Sequence, residues 1–391
     1  MNKFRWLAKK KSENEQFLQH SLNFVSQFCI KGSLFLFLIG IVDHVKSEPI
    51  GIVKKLTTNI QADQIAGSWW EDIQEWNPSG EFDAPSLSQD GKTLFFTVFD
   101  EEDENIQDAI GVAYNTGTFL KPSWIDLGIV LESSGEERST PRAMDPAVFE
   151  EKGQLYLVFG SHAGGIYIVE LNPITKKLKE FPEETQTSQY SSRFKKIANN
   201  YDIDNDFIKE LAGIEAPYLF KKGNYYYLFV NWGACCSGSN SSYSVRVGRS
   251  KSIFGPYLDK EGKNMLDFGG SEFLHSKSRF IGPGHVSIFQ LSKAIDQKLK
   301  NKEVVAFHYY DKENNGNSKF AAREIFWRDN WPIVGSLIID SPSIFLSNDS
   351  SPFEIVHDPS NVIASNKKLY FLGSGNDESA LNIYEISFGK N

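Results

Sequence analysis

Residues 215–232 read EAPYLFKKGNYYYLFVNW. An acidic residue and a proline open a short apolar run. A Lys-Lys-Gly-Asn turn then reverses it into a run rich in aromatic residues. Aromatics favour strands, and a Gly-Asn turn between two such runs signals a hairpin. Proline suits the first residue of a strand, where its missing N–H is least missed. A third run, YSVRVGRS, follows at 243–250. The same unit recurs four times. Phe82-Asp83-Ala84-Pro85 leads to SLSQDGKTLFFTVF and DAIGVAY, and Met144-Asp145-Pro146 to AVFEEKGQLYLVFGS and GGIYIVEL. Gly282-Pro283-Gly284-His285 leads to VSIFQL, VVAFHYYD and KFAAREIFW, and His357-Asp358-Pro359 to SNVIASNKKLYFLGSG and ALNIYEISF. The prolines stand at 85, 146, 217, 283 and 359, separated by 61, 71, 66 and 76 residues. A period of this size with three or four strands per repeat is that of propeller blades. The chain is therefore predicted to be all-β, a five-bladed β-propeller. The last repeat ends soon after its third strand. PIGIVKKLTTNI, residues 49–60, is expected to supply the fourth and tie the two ends together.

The composition suits this reading. The chain has 391 residues, 40% hydrophobic and 14% aromatic, enough for one large core. Helical periodicity is scarce after residue 48. The net charge of −9 and the pI near 5.4 argue against a nucleic-acid or anionic-membrane surface. The N-terminus pairs basic MNKFRWLAKKK with a ten-residue apolar run, SLFLFLIGIV, at 33–42. Ten residues are too few to span a bilayer but suit a signal segment, with cleavage expected after Ser47. An uncleaved N-terminal anchor is the alternative. The expected division is a leader at 1–47 and a propeller at 48–391, in a secreted or cell-surface protein without membrane contact unless the leader is retained. Cys235 and Cys236 are adjacent and Cys29 lies in the leader, so no long-range disulfide framework is expected. The adjacent pair is read as either a vicinal disulfide or two thiols.

First-strand onsets of different blades converge on the central channel. Asp145, Glu215 and Asp358 are then expected to meet, although far apart in sequence. Three carboxyl groups in one pocket suit glycoside hydrolysis. One protonates the leaving oxygen, a second activates water or attacks the sugar, and a third holds a proton by like-charge repulsion. An isolated Asp before Pro would more simply close a turn.

The residues also resemble a known family. GIEAPYLFKKGNYYYLFVNWGACCSGSNSSYSVRVGRSKSIFGPYLDKEG, AMDPAVFEEKGQLYLVFGSHAGGI and IGPGHVSIF, with HYYD and WRDNWP, are similar to family 43 glycoside hydrolases, most of all to endo-1,5-α-L-arabinanases. The resemblance covers roughly residues 82–385 and implies an inverting hydrolase acting on an arabinan-type polysaccharide or oligosaccharide. It implies Glu215 as general acid, Asp145 as the acid that tunes it, and Asp358 as general base. In the family the base motif HDPS opens the first blade; here its one occurrence is at 357–360. The blade order thus resembles a circular permutation, which a ring tolerates. An inverting pair, Asp358 and Glu215, is expected ~6.5–9.5 Å apart.

Asp83, where the family usually has Trp, is the rival base and otherwise a substrate-binding residue. His162 and Trp232 are the other candidate substrate contacts, and Trp69, Trp70 and Trp76 are further aromatic faces. His285 alone reads as a structural histidine, but it resembles the family's channel histidine, which implies a metal role beside calcium or a substrate contact. The acidic run at 100–105 is read as solvated, with a second calcium site as the alternative. The competing functions are an exo-acting arabinofuranosidase or xylosidase and a non-catalytic carbohydrate-binding propeller.

Overall fold

The computed structural model describes residues 51–61, 82–99, 107–134, 141–161, 164–179, 193–200, 213–291, 301–340, 356, 358–365, 368–374 and 380–388. The leader, Trp69, Trp70, Trp76, the acidic run 100–105 and His162 lie outside the described residues. The chain separates into Met1–Glu48 and Pro49–Asn391, and everything below concerns the second unit.

Five four-stranded units follow one another. Blade I comprises β2 (Phe82–Leu87), β3 (Thr93–Phe99), β4 (Gln107–Asn115) and β5 (Trp124–Ser134). Blade II comprises β6 (Ala147–Glu151), β7 (Gln154–Phe159), β8 (Ile166–Leu171) and β9 (Lys195–Ala198). Blade III comprises β10 (Ile214–Lys222), β11 (Tyr225–Trp232), β12 (Ser244–Ser250) and β13 (Ser271–Leu274). Blade IV comprises β14 (Phe280–Gln290), β15 (Glu303–Asp311), β16 (Asn317–Arg328) and β17 (Trp331–Asp340). Blade V comprises β18 (Ile363–Ser365), β19 (Lys368–Ser374), β20 (Ala380–Phe388) and β1 (Gly51–Gln61). β1 runs antiparallel to β20 from Gly51 opposite Phe388 to Gln61 opposite Ala380, as the leftover segment was expected to do. Its other pairing is a single parallel bridge, Gly51 to Ile339 of β17.

The second strand of each blade explains the aromatic runs. Side chains alternate across a strand, and here both faces are buried. In β3, Leu94 and Phe96 face blade V, packing with Ile363, Tyr370 and Leu372. Phe95 between them faces blade II, meeting Leu157 and Phe159. In β11, Leu228 and Val230 pack on Val158 and Ile168 of blade II, while Tyr227 and Phe229 join Phe307 and Tyr309 of blade IV. Phe371 of β19 stacks between Tyr384 and Phe320 of blade IV, with centroids 4.8 and 4.2 Å away. The five clusters thus occupy the five junctions between neighbouring blades, and the ring closes between blades V and I.

Each first strand begins with a distortion. Ala84, Asp145, Ala216, His285 and Asp358 have φ of +48°, +52°, +48°, +50° and +41°. Such angles oppose Cβ against the carbonyl, and four of the five residues also precede proline, which disfavours the α regions. Each is a strain of about 1–3 kcal/mol, of the kind stored at functional sites. In blades I, III and IV the pairing shifts there as a β-bulge. The bulges also correct one detail of the repeat. His285 precedes Val286, so Val286 rather than Pro283 matches Pro85, Pro146, Pro217 and Pro359.

Candidate active site

The distorted residues sort the acids into two positions. Asp145 and Asp358 are themselves the distorted residues. Asp83 and Glu215 each stand one residue earlier, opposite Thr97 and Asn231. In blade IV that earlier position is Gly284, opposite His308. A Cβ there would lie 2.2 Å from the Tyr243 ring and 2.4 Å from Asn231 Nδ2, so only glycine fits.

Asp358 meets two histidines. His285 Nδ1 lies 3.0 Å from Asp358 Oδ1, and His308 Nδ1 lies 3.4 Å from the same oxygen. Burial opposes the Asp358 charge, but His285, by charge and hydrogen bond, outweighs it and holds the carboxyl well below the usual carboxylate range. Burial alone would lower His285. The Asp358 carboxylate, seconded by Asp145 and Asp83, holds it up at about 9. At neutral pH this is an imidazolium–carboxylate pair.

Asp145 and Glu215 form a second group. Asp145 Oδ2 accepts the N–H of Ala216 (2.9 Å), the residue after Glu215. Ser161 Oγ donates to Glu215 Oε2 (3.1 Å), and Glu215 is buried. Burial and the Glu215 carboxylate push Asp145 up to about 8. A proton is therefore retained on this pair at neutral pH, while Asp358 is ionised. The two carboxyl environments are driven apart, as an acid and a base require. Burial, and then the nearby charges of Glu215, Asp145 and Asp358 among others, push the Tyr243 hydroxyl well up, so all three carboxyls lie near this one buried side chain.

Asp83 also lies near Asp358 and His285. Ser374 Oγ donates to its Oδ1, and burial with the nearby Asp358 pushes it up to about 7. Trp232 lies on the blade II side of β11, with Arg246 over its ring at 4.9 Å and its Nε1 buried without a hydrogen-bond partner among the described residues. Cys235 and Cys236 are free thiols; the Cys236 N–H donates to Tyr310 Oη (2.8 Å) and Cys235 Sγ contacts the same oxygen at 3.3 Å.

The calcium expected beside His285 finds no support. Among the described residues no three His, Cys, Asp or Glu side chains are grouped to hold a metal. A hard cation needs several oxygen ligands, and His285 Nδ1 is turned to Asp358 instead.

Thr97, Asn231, His308 and Ser374 were not singled out from the sequence. Their signal is a polar residue interrupting an apolar second strand, in TLFFTVF, YYYLFVNW, EVVAFHYYD and KLYFLGS. Each stands on the face turned to the next blade, toward that blade's distorted residue.

The fold and these carboxyls define the class: a β-propeller glycoside hydrolase. The sequence profile of glycosyl hydrolases family 43 matches residues 65–332, and the chain belongs to that family. It is 35% identical over 240 residues to the extracellular exo-α-(1→5)-L-arabinofuranosidase ArbA of Cellvibrio japonicus, covering 60% of this chain and 64% of that one. It is 31% identical over 272 residues to the extracellular endo-α-(1→5)-L-arabinanase 1 of Bacillus subtilis, covering 68% of this chain and 72% of that one. The structure of Cellvibrio cellulosa α-L-arabinanase complexed with arabinohexaose superposes with a TM-score of 0.55 at 30% identity, over 69% of this chain and 82% of that one.

Proposed function

We propose that this chain is a secreted, inverting hydrolase of α-1,5-linked L-arabinofuranosyl bonds in arabinan. The observation that carries the reading is the contrast between the two carboxyl groups: Asp358 ionised against His285, and the Asp145–Glu215 pair holding a proton. In the proposed step Asp358 takes a proton from water as that water attacks the anomeric carbon. The glycosidic C–O bond breaks on the opposite face, and Glu215 delivers its proton to the leaving oxygen. Asp145, pushed up to about 8 by burial and Glu215, keeps a proton on the pair and, by accepting the Ala216 N–H, fixes the backbone beside Glu215. Asp83 and Trp232, with His162, are proposed to contact the sugars. The names of the relatives support arabinan and an extracellular location, and the basic-apolar leader supports export. The family match ends at Pro332, before the HDPS of blade V, which supports a permuted blade order.

Because the two relatives are named for exo and endo action, exo cleavage is the second reading. Digestion of linear arabinan, followed by product size, separates them: short oligosaccharides mark endo action, and arabinose alone marks exo action. E215Q and D358N should each lower kcat by about 10²–10⁴-fold. Full activity in D358N would remove the base assignment and the permuted order with it.

A further inference from the structure

The N–H groups of Asp145, Ala216, His285 and Asp358 are turned out of their own hairpins toward another blade. A buried N–H without an acceptor is costly, so something must take it. In three blades the acceptor is the same position of the preceding blade's second strand. Thr97, opposite Asp83, accepts the Asp145 N–H through Oγ1 at 3.1 Å. Asn231, opposite Glu215, accepts the His285 N–H through Oδ1 at 3.0 Å. His308, opposite Gly284, accepts the Asp358 N–H through Nδ1 at 3.3 Å. In blade II the corresponding position is Gly160, which has no side chain, and Asp145 Oδ2 takes the Ala216 N–H instead.

We propose that His308 is a positioning residue for hydrolysis: its Nδ1 accepts the Asp358 N–H and so holds the strained Asp358 backbone where its carboxylate reaches His285. The ring is suited to this. It is fully buried, stacked on Tyr243 with centroids 6.0 Å apart and planes 9° apart, and Tyr310 tilts against it at 5.6 Å. These contacts fix the direction of Nδ1. An accepting nitrogen carries no proton of its own. Asp358 sits at φ +41° before Pro359 and relaxes toward extended backbone if the acceptor is lost. Relaxation would swing the carboxylate away from His285, 3.0 Å distant.

The ring repeat supplies its own control. An amide oxygen performs this task in blade III, so H308N should restore what H308L removes. On a soluble arabino-oligosaccharide, H308L is expected to lose about 100-fold in kcat with KM within about threefold, the effect of a misplaced reacting group. H308N is expected to recover most of that loss, with native circular dichroism in both. Unchanged kcat in H308L, or equal loss in both variants, overturns the proposal. If H308L does not fold, H308N decides alone: retained kcat supports an acceptor role, and loss with native circular dichroism refutes it. The inference rests on Asp358 being the base, which D358N tests separately. Should D358N stay active, nitrogen NMR of the parent still decides the contact, since a protonated Nδ1 on His308 overturns it.

Discussion

Asp358 and Asp145 have the same side chain and the same place in their blades, yet opposite protonation. The difference lies in their neighbours. Asp358 has His285 within 3.0 Å, whereas Asp145 has the Glu215 carboxylate and burial. The proposed hydrolysis needs the proton held on the Asp145–Glu215 pair, so the rate should fall as pH rises through about 8. The acid side should hold until pH drops well below the ordinary carboxylate range, because His285 keeps Asp358 ionised. A pH–rate profile checks both limbs, and in D145N the limb near 8 should move. Asp83 offers a stability test. Its folded pKa is raised to about 7 from 3.8, so the stability tied to its neutral form is fully present below 3.8 and lost as pH rises through 7. D83N should therefore melt several degrees above the parent at pH 8 and with little difference at pH 4. A lower melting temperature for D83N at pH 8 would show that the Ser374 contact outweighs burial.

Among the elements, β1 and the second strands have the clearest consequences. β1 covers the edge of β20 and buries Val53 with Tyr384, Ile386 and Ile339. A chain beginning at residue 62 would expose β20 as an open edge beside these apolar side chains. It should aggregate or elute as oligomers in size-exclusion chromatography. A monomeric truncated chain with native melting would show β1 to be dispensable. The second strands read as almost continuous apolar runs because both faces are buried, so their strand character was legible. Which residue faces which blade follows from period two. Which side chain accepts the next blade's N–H did not follow, since Thr97, Asn231 and His308 share a position and no chemical type.

At the scale of the molecule, every core cluster belongs to two blades. No blade keeps its apolar faces when a neighbour leaves. Pro49–Asn391 should accordingly unfold in one transition, with tryptophan fluorescence and far-ultraviolet circular dichroism coincident in urea. Separate midpoints would mean that blades melt independently. Because Gly51 pairs with Phe388, the two ends of the ring lie side by side. Joining Asn391 to Pro49 and opening the chain between blades IV and V should leave a folded hydrolase, with HDPS then in the first blade. Loss of the fold in that permutant would argue that the present closure is required.

The sequence by itself determined the number of blades and the all-β class, and it set Asp145, Glu215 and Asp358 at blade onsets. A repeat of hairpins with acidic onsets is a local pattern, and local patterns survive in one dimension. It misplaced the fourth onset by three residues, because proline marked the other four and Pro283 happened to lie nearby. Only the tertiary structure decided the surroundings of each acid, the pairing of His285 with Asp358, and the presence of His308 beside Asp358. Those depend on burial and on partners from other blades, and distances between blades are set by packing that no single stretch of chain contains.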